Sequence, residues 1–231
     1  MIFKRQEKKY LLDAMQRQRL LSIIGDNLVP DKHGKNTICS LYLDTPDYLL
    51  IRNSIDAIAY KEKLRIRSYG VPDKNKSVFF EIKKKYKGTV YKRRVSMGID
   101  EAFEYIESGV APIDTQIMRE IDYLMNFYHK PRPDVCILCE REAIFVADNP
   151  EVRLTFDENL RYSRGFPDEN NIGEGIPIVK DEEYILEIKT LGAMPIWLAR
   201  ALSECCIYPR SFSKYAHAYY DIINEREKLI K

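Results

Sequence analysis

The chain has 231 residues and a formal net charge of +2, because its 37 lysines and arginines nearly balance its 35 aspartates and glutamates. A chain of this length can bury a sizeable core, but it lacks the strong positive charge with which proteins coat nucleic acid. It has no stretch near the roughly 20 apolar residues that a membrane span needs, and its charged N-terminus is not typical of a signal peptide. We therefore expect a globular protein without a nucleic acid partner and without a transmembrane segment.

Hydrophobic periodicity predicts a β-rich chain with helices near both ends and a helical insertion in the middle. We predict strands over residues 5–10, 37–42, 59–69, 77–85, 89–97, 134–146, 151–157 and 183–189. We predict helices over residues 13–24, 100–108, 114–128, 195–206 and 215–231, one helical turn over 48–53, a turn or helix start at 44–47, and polar loops over 26–36 and 162–175. Eight strands, mostly joined by hairpins, favour an α+β fold in which an antiparallel eight-stranded β-barrel is closed and flanked by helices. No linker-like stretch interrupts the chain, so we expect a single domain over residues 1–231.

Charged residues stand at every second position of several predicted strands, so they share one face of each strand. The pattern is longest at Lys61, Lys63, Arg65 and Arg67, and it recurs at Arg5, Glu7 and Lys9, at Glu81, Lys83 and Lys85, and at Lys92 and Arg94. A solvent-exposed face is the simplest explanation for one such strand. The opposite face of the longest example is apolar except for Glu62, however, so both faces need a cover. A barrel with helices outside and the charges inside provides it, and such a basic tunnel with a few carboxylates suits a polyanion and a divalent metal.

A Glu-Ile-Lys triplet occurs twice, at residues 81–83 and 187–189. Its lysine can bind phosphate oxygens and its glutamate can hold Mg²⁺ or Mn²⁺, although cross-strand Glu/Lys pairs are also common in ordinary hairpins. Arg141 and Arg153 are consistent with inward-facing arginines on later strands. Ser213 and Lys214 open the last predicted helix, where they either bind an anion or provide a plain N-cap.

Other kinds of chemistry have little support. The three histidines show no triad spacing, and neither a P-loop nor a Gly-x-Gly-x-x-Gly motif occurs. Cys136 and Cys139 lack the partners that a zinc site needs, so we expect both in the core. The odd total of five cysteines, without paired spacing, indicates a reducing compartment and therefore the cytoplasm.

In chain order, these segments resemble the VTC domain, the polyphosphate polymerase branch of the triphosphate tunnel metalloenzymes, a superfamily that also includes the CYTH proteins. The matching motifs are Arg5-x-Glu7-x-Lys9-Tyr10, Ser40-Leu41-Tyr42-Leu43-Asp44-Thr45-Pro46, Lys63-Leu64-Arg65-Ile66-Arg67-x-Tyr69-Gly70, Phe80-Glu81-Ile82-Lys83, Lys92-x-Arg94, Arg141-Glu142-Ala143, Arg153-Leu154-Thr155-x-Asp157, Leu186-Glu187-Ile188-Lys189 and Ser213-Lys214-Tyr215. Each motif alone is unspecific, but together they keep the family's order and span nearly the whole chain.

The resemblance implies the triphosphate tunnel fold, with ATP bound by its phosphates along the tunnel and its γ-phosphate transferred to a growing polyphosphate chain. The catalytic residues that we carry over are Lys9, Arg65, Arg67, Lys83, Arg141 and Lys189. The further phosphate-binding residues that we predict are Lys63, Lys92, Arg94, Arg153, Ser213 and Lys214. Glu187 would hold Mn²⁺ or Mg²⁺, with Glu7 and Glu81 as second candidates.

Two departures from the family bear on the function. Arg5 stands where the hydrolytic CYTH branch favours the first glutamate of Glu-x-Glu-x-Lys, which favours a polymerase over a triphosphatase. Eukaryotic relatives carry a regulatory domain and membrane helices, whereas we expect a bare catalytic module here, with any membrane or regulatory partner left open. The alternatives are an inorganic triphosphatase, a nucleotide-cyclase-like tunnel enzyme, and a non-catalytic sensor of polyphosphate or inositol phosphates.

Overall fold

The computed structural model describes residues 6–57, 59–87, 89–167, 171 and 173–230, and it combines strands and helices as the sequence predicts. The strands are β1 (Gln6–Asp13), β2 (Leu28–Asp44), β3 (Tyr60–Tyr69), β4 (Ser77–Tyr86), β5 (Thr89–Gly98), β6 (Arg132–Val146), β7 (Asn149–Arg164), β8 (Ile176–Pro177) and β9 (Glu183–Thr190). The helices are α1 (Ala14–Ile24), α2 (Leu49–Asp56), α3 (Ile99–Ser108), α4 (Gln116–Phe127), α5 (Ile196–Glu204) and α6 (Lys214–Ile230). No helix among these described residues is long and apolar enough to cross a membrane.

The chain divides into two compact units. The described residues of the first unit fall within Met1–Thr37, Cys139–Arg161 and Pro177–Ser213, and those of the second within Ile38–Leu138, Tyr162–Ile176 and Lys214–Lys231. The long strands β2, β6 and β7 each contribute residues to both units. A single domain over residues 1–231 therefore stays a prediction.

The first unit has the strand order β1-β9-β7-β6-β2, with β1 and β7 both antiparallel to β9. Alternate residues of β1, β7 and β9 build its apolar core, together with α1 and α5. The core includes Tyr10, Leu12, Leu20, Ile24, Leu154, Phe156, Leu186, Ile188, Leu198 and Leu202. Because successive side chains of a strand point to opposite faces, the charged residues between these positions lie on the other face of the sheet.

The second unit has the strand order β6-β2-β3-β4-β5, and α3 and α4 pack with the apolar face of its strands. Its core includes Leu64, Ile66, Phe80, Ile82, Ala102, Tyr105, Ile106, Ile121, Leu124, Met125 and Tyr128, so α4 contributes its apolar stripe to this core. Glu62, the exception on this apolar face, is buried and accepts hydrogen bonds from the hydroxyl groups of Tyr60, at 2.6 Å, and Tyr128. The two phenols explain how the carboxylate is tolerated there.

The predicted α+β antiparallel fold is confirmed, but one detail of the prediction is wrong. The described strands follow the order β1-β9-β7-β6-β2-β3-β4-β5, and closure of the sheet into a barrel stays a prediction. The predicted loop over 26–36 lies largely in β2, where Lys35 pairs with Glu140 and Glu158. Polar strand residues that are neutralised by their neighbours resemble a loop when only the sequence is considered.

The cysteine predictions can be compared directly with the structure. All five cysteines are free thiols, and Cys136 and Cys139 are buried in strand β6, as predicted. The predicted turn at 44–47 is also confirmed, because the Asp44 carboxylate accepts hydrogen bonds from the backbone N–H groups of Thr45 and Leu50, both at 2.8 Å, just where α2 begins. This carboxylate satisfies the unpaired donors at the start of the helix.

Candidate functional site

The basic residues of β3, β4 and β5 form one face of the second unit, which we call the basic cluster. Its members are Lys63, Arg65, Arg67, Lys83, Lys92 and Arg94, with Glu81 among them. The register places Arg65 opposite Glu81, and Glu81 opposite Arg94. Among the described residues, Glu81 is the one carboxylate that these three strands place on this face. Positive charge is therefore in large excess over negative charge.

Glu81 organises the cluster because its carboxylate is fully buried and ion-paired. Arg65 donates to its Oε2 from Nε at 2.9 Å and from Nη2 at 2.8 Å, and the Lys92 Nζ lies 2.6 Å from Oε1. Burial alone would raise the pKa of Glu81, but Arg65, Arg67 and Lys92 outweigh it and lower that pKa to about 2. Glu81 is therefore ionised at neutral pH and holds the guanidinium group of Arg65 in a fixed orientation. A role for Glu81 as a metal ligand stays a prediction.

The remaining cations of the basic cluster are only partly covered. The Nε of Arg67 lies 3.2 Å from the Ser40 hydroxyl and 3.8 Å from Glu81. The Arg94 guanidinium lies 4.4 Å from the centre of the Phe79 ring. Burial, followed by the positive charges of Arg67 and Arg65, lowers the pKa of Lys92 despite its pairing with Glu81. A lysine whose charge is disfavoured in this way gains by binding an anion.

Tyr42 of β2 contacts the basic cluster, although the sequence analysis assigned it no role. Its hydroxyl oxygen accepts a hydrogen bond from the Arg65 Nη1 at 3.1 Å, and its ring stacks on Tyr215 with 4.5 Å between ring centres. Burial alone would raise the pKa of Tyr42, but Arg65, Lys63 and Arg67 together lower it to about 7. The sequence signal that could have identified Tyr42 was its spacing from Ser40. The two residues are two positions apart on β2 and therefore share one face of the strand, and Ser40 contacts Arg67.

The low pKa of Tyr42 gives a direct prediction. Tyrosinate absorbance near 295 nm should rise with a midpoint near pH 7, and Tyr42→Phe should remove that transition. Because the folded-state pKa lies below the ordinary value of 10.0, ionisation of Tyr42 should stabilise the fold progressively from pH 7 to pH 10, and this contribution should be absent below pH 7. Binding of tripolyphosphate should also weaken above pH 7 in the wild type but not in Tyr42→Phe, because the phenolate competes with phosphate for Arg65. A wild-type titration that starts only near pH 10 would contradict the prediction.

The charged residues of β1, β6, β7 and β9 form a second group, in the first unit, which we call the mixed-charge cluster. Its members are Glu7, Lys9, Arg141, Arg153, Asp157, Glu187 and Lys189. The register places Lys9 opposite Glu187, and Lys189 opposite both Glu7 and Arg153. Here carboxylates and cations are nearly balanced, in contrast to the basic cluster.

Glu187 is the centre of the mixed-charge cluster. Its carboxylate accepts a hydrogen bond from the Lys189 Nζ at 3.2 Å, and the Nζ of Lys9 and the Nη2 of Arg141 lie 3.5 Å and 3.6 Å away. Burial, followed by the charge of Arg141, lowers the pKa of Lys189, although Glu187 acts in the opposite direction. Three predicted site residues therefore converge on the predicted metal ligand.

Asp157 is a further member that the sequence analysis quoted only as part of a motif. Its fully buried carboxylate accepts two hydrogen bonds from Arg141, from Nε at 2.5 Å and from Nη2 at 2.6 Å. Burial alone would lower the pKa of Arg141, but Asp157 and Glu187 hold it well above its ordinary value. The two-point contact fixes the direction in which Arg141 presents its remaining N–H groups.

The other predicted residues have the following positions. Lys9 donates to the Phe212 carbonyl at 3.0 Å and lies 4.0 Å from Glu7, and Arg153 donates to Asp31 at 3.3 Å. Helix α6 begins at Lys214, one residue before the predicted start, with the half-buried Ser213 just before it. Anion binding at this helix start stays a prediction. Arg5 lies outside the described residues, so the argument from its position is untested.

A metal fits this chain only if the substrate supplies part of its coordination. Among the described residues, no group of three or more His, Cys, Asp or Glu side chains is placed to hold a metal ion. Mg²⁺ and similar ions are commonly held by one or two carboxylates together with substrate phosphates. Glu187 and Glu7 can provide the carboxylates of this donor set. We therefore retain these two glutamates as candidate metal ligands.

Comparison with solved structures identifies the class of fold. A protein from Bacillus halodurans, named as a candidate adenylate cyclase, matches with a TM-score of 0.56 and 16% identity over 91% of this chain and 95% of its own. A protein from Hippeastrum, named as a candidate adenylyl cyclase with a dominant triphosphatase activity, matches with a TM-score of 0.53 and 17% identity over 91% of this chain and 92% of its own. At these identities the similarity shows the fold alone, and it confirms the predicted triphosphate tunnel fold.

The family is more specific than the fold. The chain belongs to the VTC domain family, whose profile matches residues 4–222. The resemblance drawn from the sequence motifs is therefore confirmed. No curated protein matches the chain.

Proposed function

We propose that this protein is a metal-dependent polyphosphate polymerase that uses ATP. The observation that carries the proposal is the basic cluster, in which the cations of β3, β4 and β5 surround one buried carboxylate in a chain of the VTC family. Cations gathered on one face repel one another, so the arrangement is stable only with a polyanion or solvent to compensate. ATP and polyphosphate are polyanions of the required kind.

In the proposed reaction, the bond between the γ-phosphorus and the bridging oxygen of ATP breaks, and ADP keeps that electron pair. A new bond forms between the γ-phosphorus and a terminal oxygen of polyphosphate, so the chain grows by one phosphate. This chemistry depends mainly on positioning and charge neutralisation and needs no covalent protein intermediate. The arginines fix phosphate oxygens by paired hydrogen bonds, and the lysines supply point charges.

Among the members of the mixed-charge cluster, Glu187 and Glu7 would hold Mn²⁺ or Mg²⁺. The ion, when bound, neutralises charge on the phosphate oxygens. Phosphates would also draw Lys9 and Lys189 away from Glu187, because a phosphate carries more negative charge than the carboxylate that they contact in the structure. We propose the cytoplasm as the location, which the five free cysteines support.

The test is to incubate the purified protein with ATP and Mn²⁺, then to separate the products on a gel stained for polyphosphate and to assay free phosphate in parallel. We expect long chains and ADP from the wild type, and a loss of roughly 10²-fold in Lys83→Ala, because a transition-state charge contact is removed. Lys74→Ala is the matched control, since Lys74 lies outside the cluster and its side chain is 80% exposed. Free phosphate without chains would instead indicate a triphosphatase, and tight polyphosphate binding without turnover would indicate a sensor.

A further inference from the structure

Three buried polar atoms on β7 have no hydrogen-bond partner among the described residues, and two of them, the Thr155 hydroxyl and the Arg153 Nε, are two residues apart in the first unit. Leu154 and Phe156 lie in the apolar core of the first unit, so the residues between and beside them lie on the opposite, charged face of the strand. Thr155 is only 1% exposed. Most buried polar groups are hydrogen-bonded, so two such atoms on neighbouring positions of one face need an explanation.

The surroundings of Thr155 indicate which ligand these atoms could take. Across the sheet, Thr155 lies opposite Glu187 and Arg153 lies opposite Lys189. On the same face of β7, the carboxylate of Asp157 is already occupied by Arg141. The arginine Nε–H can only donate and the threonine hydroxyl can donate, so the missing partner is an acceptor. The arginine charge and the nearby Lys189 favour an anionic acceptor over a neutral one.

We propose that Thr155 is a further phosphate-binding residue, whose hydroxyl donates to the same phosphate group as the Arg153 Nε–H. Two same-face positions of a strand are about 7 Å apart, so donors from both can reach different oxygens of one phosphate. The Lys189 Nζ, which contacts Glu187 at 3.2 Å, moves to this phosphate when it binds. The assignment of a phosphate as the ligand rests on the proposed function, whereas the unpaired donors are features of the fold itself.

The test compares Thr155→Val with Thr155→Ser, using tripolyphosphate without metal or nucleotide as the probe in a calorimetric titration. Valine keeps the shape of threonine and removes the hydroxyl, so affinity should fall about tenfold, as expected for one lost hydrogen bond to a charged group. Serine keeps the hydroxyl and should retain affinity within about threefold of the wild type, a difference well below the cost of one such hydrogen bond.

Thermal unfolding separates this role from a structural one. Thr155→Val should unfold no earlier than the wild type, because the hydroxyl has no partner in the fold to lose. Thr190 is the matched control, since it is also buried, lies on β9 and donates to the Gly192 carbonyl at 2.8 Å. Thr190→Val should therefore unfold earlier than the wild type but bind tripolyphosphate as the wild type does.

Unchanged tripolyphosphate affinity in Thr155→Val would overturn the proposal and indicate that a buried water satisfies both donors. Weaker binding together with earlier unfolding would also overturn it, because the hydroxyl would then support the fold. The titration contains no ATP and no metal, so its outcome does not depend on the reaction. A protein that makes no polyphosphate but loses tripolyphosphate affinity in Thr155→Val would refute the polymerase and leave this inference standing.

Discussion

Replacement of Glu187 by glutamine is expected to lower polyphosphate synthesis by roughly 10²-fold or more, which is the scale on which single electrostatic contacts to a transition state act. Glutamine keeps the shape of the side chain and removes its charge. The Nζ of Lys9 and Lys189 and the guanidinium of Arg141 would lose the anion that they share. The candidate metal site would lose its central carboxylate, and a neutral amide is a weaker ligand for Mg²⁺ or Mn²⁺.

Glu142→Gln is the matched control for this change. Glu142 lies on β6 in the same unit, and its half-exposed carboxylate pairs with Arg17 at 2.8 Å, outside the mixed-charge cluster. A partly exposed ion pair contributes little, so this variant should keep both activity and stability. Activity should be measured over a range of Mn²⁺ concentrations. If Glu187→Gln were as active as the control at every Mn²⁺ concentration, Glu187 would not be the metal ligand.

The same variant distinguishes the functions that share this fold. A polymerase and a triphosphatase should both lose turnover in Glu187→Gln, and their products tell them apart. A sensor needs the cations but no metal-dependent chemistry, so its affinity for polyphosphate should survive the change. Tripolyphosphate titration without metal therefore accompanies the activity assay.

The strands of the site could be predicted from the sequence, because the alternation of charged and apolar residues is a local pattern. Lys63, Arg65 and Arg67 stand at every second position, and the structure does place them on one face of β3, opposite Lys83, Glu81 and Phe79 of β4. The helices α3 and α4 are equally local, because their apolar stripes repeat within a few residues. These features needed no knowledge of partners distant in sequence.

The contacts within the site depend on register, which a single sequence does not specify. Asp157 and Arg141 are 16 residues apart and Arg65 and Tyr42 are 23 apart, and nothing local pairs them. Thr155 shows the limit most clearly, since an unpaired hydroxyl is a property of what surrounds the residue. The wrong loop over 26–36 has a similar origin, because the partners of Lys35 are on β6 and β7.

Replacement of Arg65 by alanine should lower both the stability of the second unit and the affinity for tripolyphosphate, and this combined effect should be the largest of any single change in that unit. The loss of one partner of a buried ion pair commonly costs about 3–5 kcal/mol, and we expect the lower end because Lys92 still contacts Glu81. Affinity for tripolyphosphate should fall by about 100-fold, since an oriented guanidinium would be lost. Urea unfolding and calorimetric titration measure the two quantities. Arg93→Ala is the control, because Arg93 is half-exposed and its Nε lies 3.6 Å from Glu120.

The double variant Arg65→Ala with Glu81→Gln separates the two effects of Arg65. Without Arg65, the buried negative charge of Glu81 is only partly compensated, and glutamine removes that charge. Part of the lost stability should therefore return, by about 1 kcal/mol or more, as expected for coupled neighbours. Affinity should not return, because the phosphate would still lack the arginine. If affinity recovered along with stability, Arg65 would act by supporting the fold, and the basic cluster would need another residue as its principal phosphate ligand.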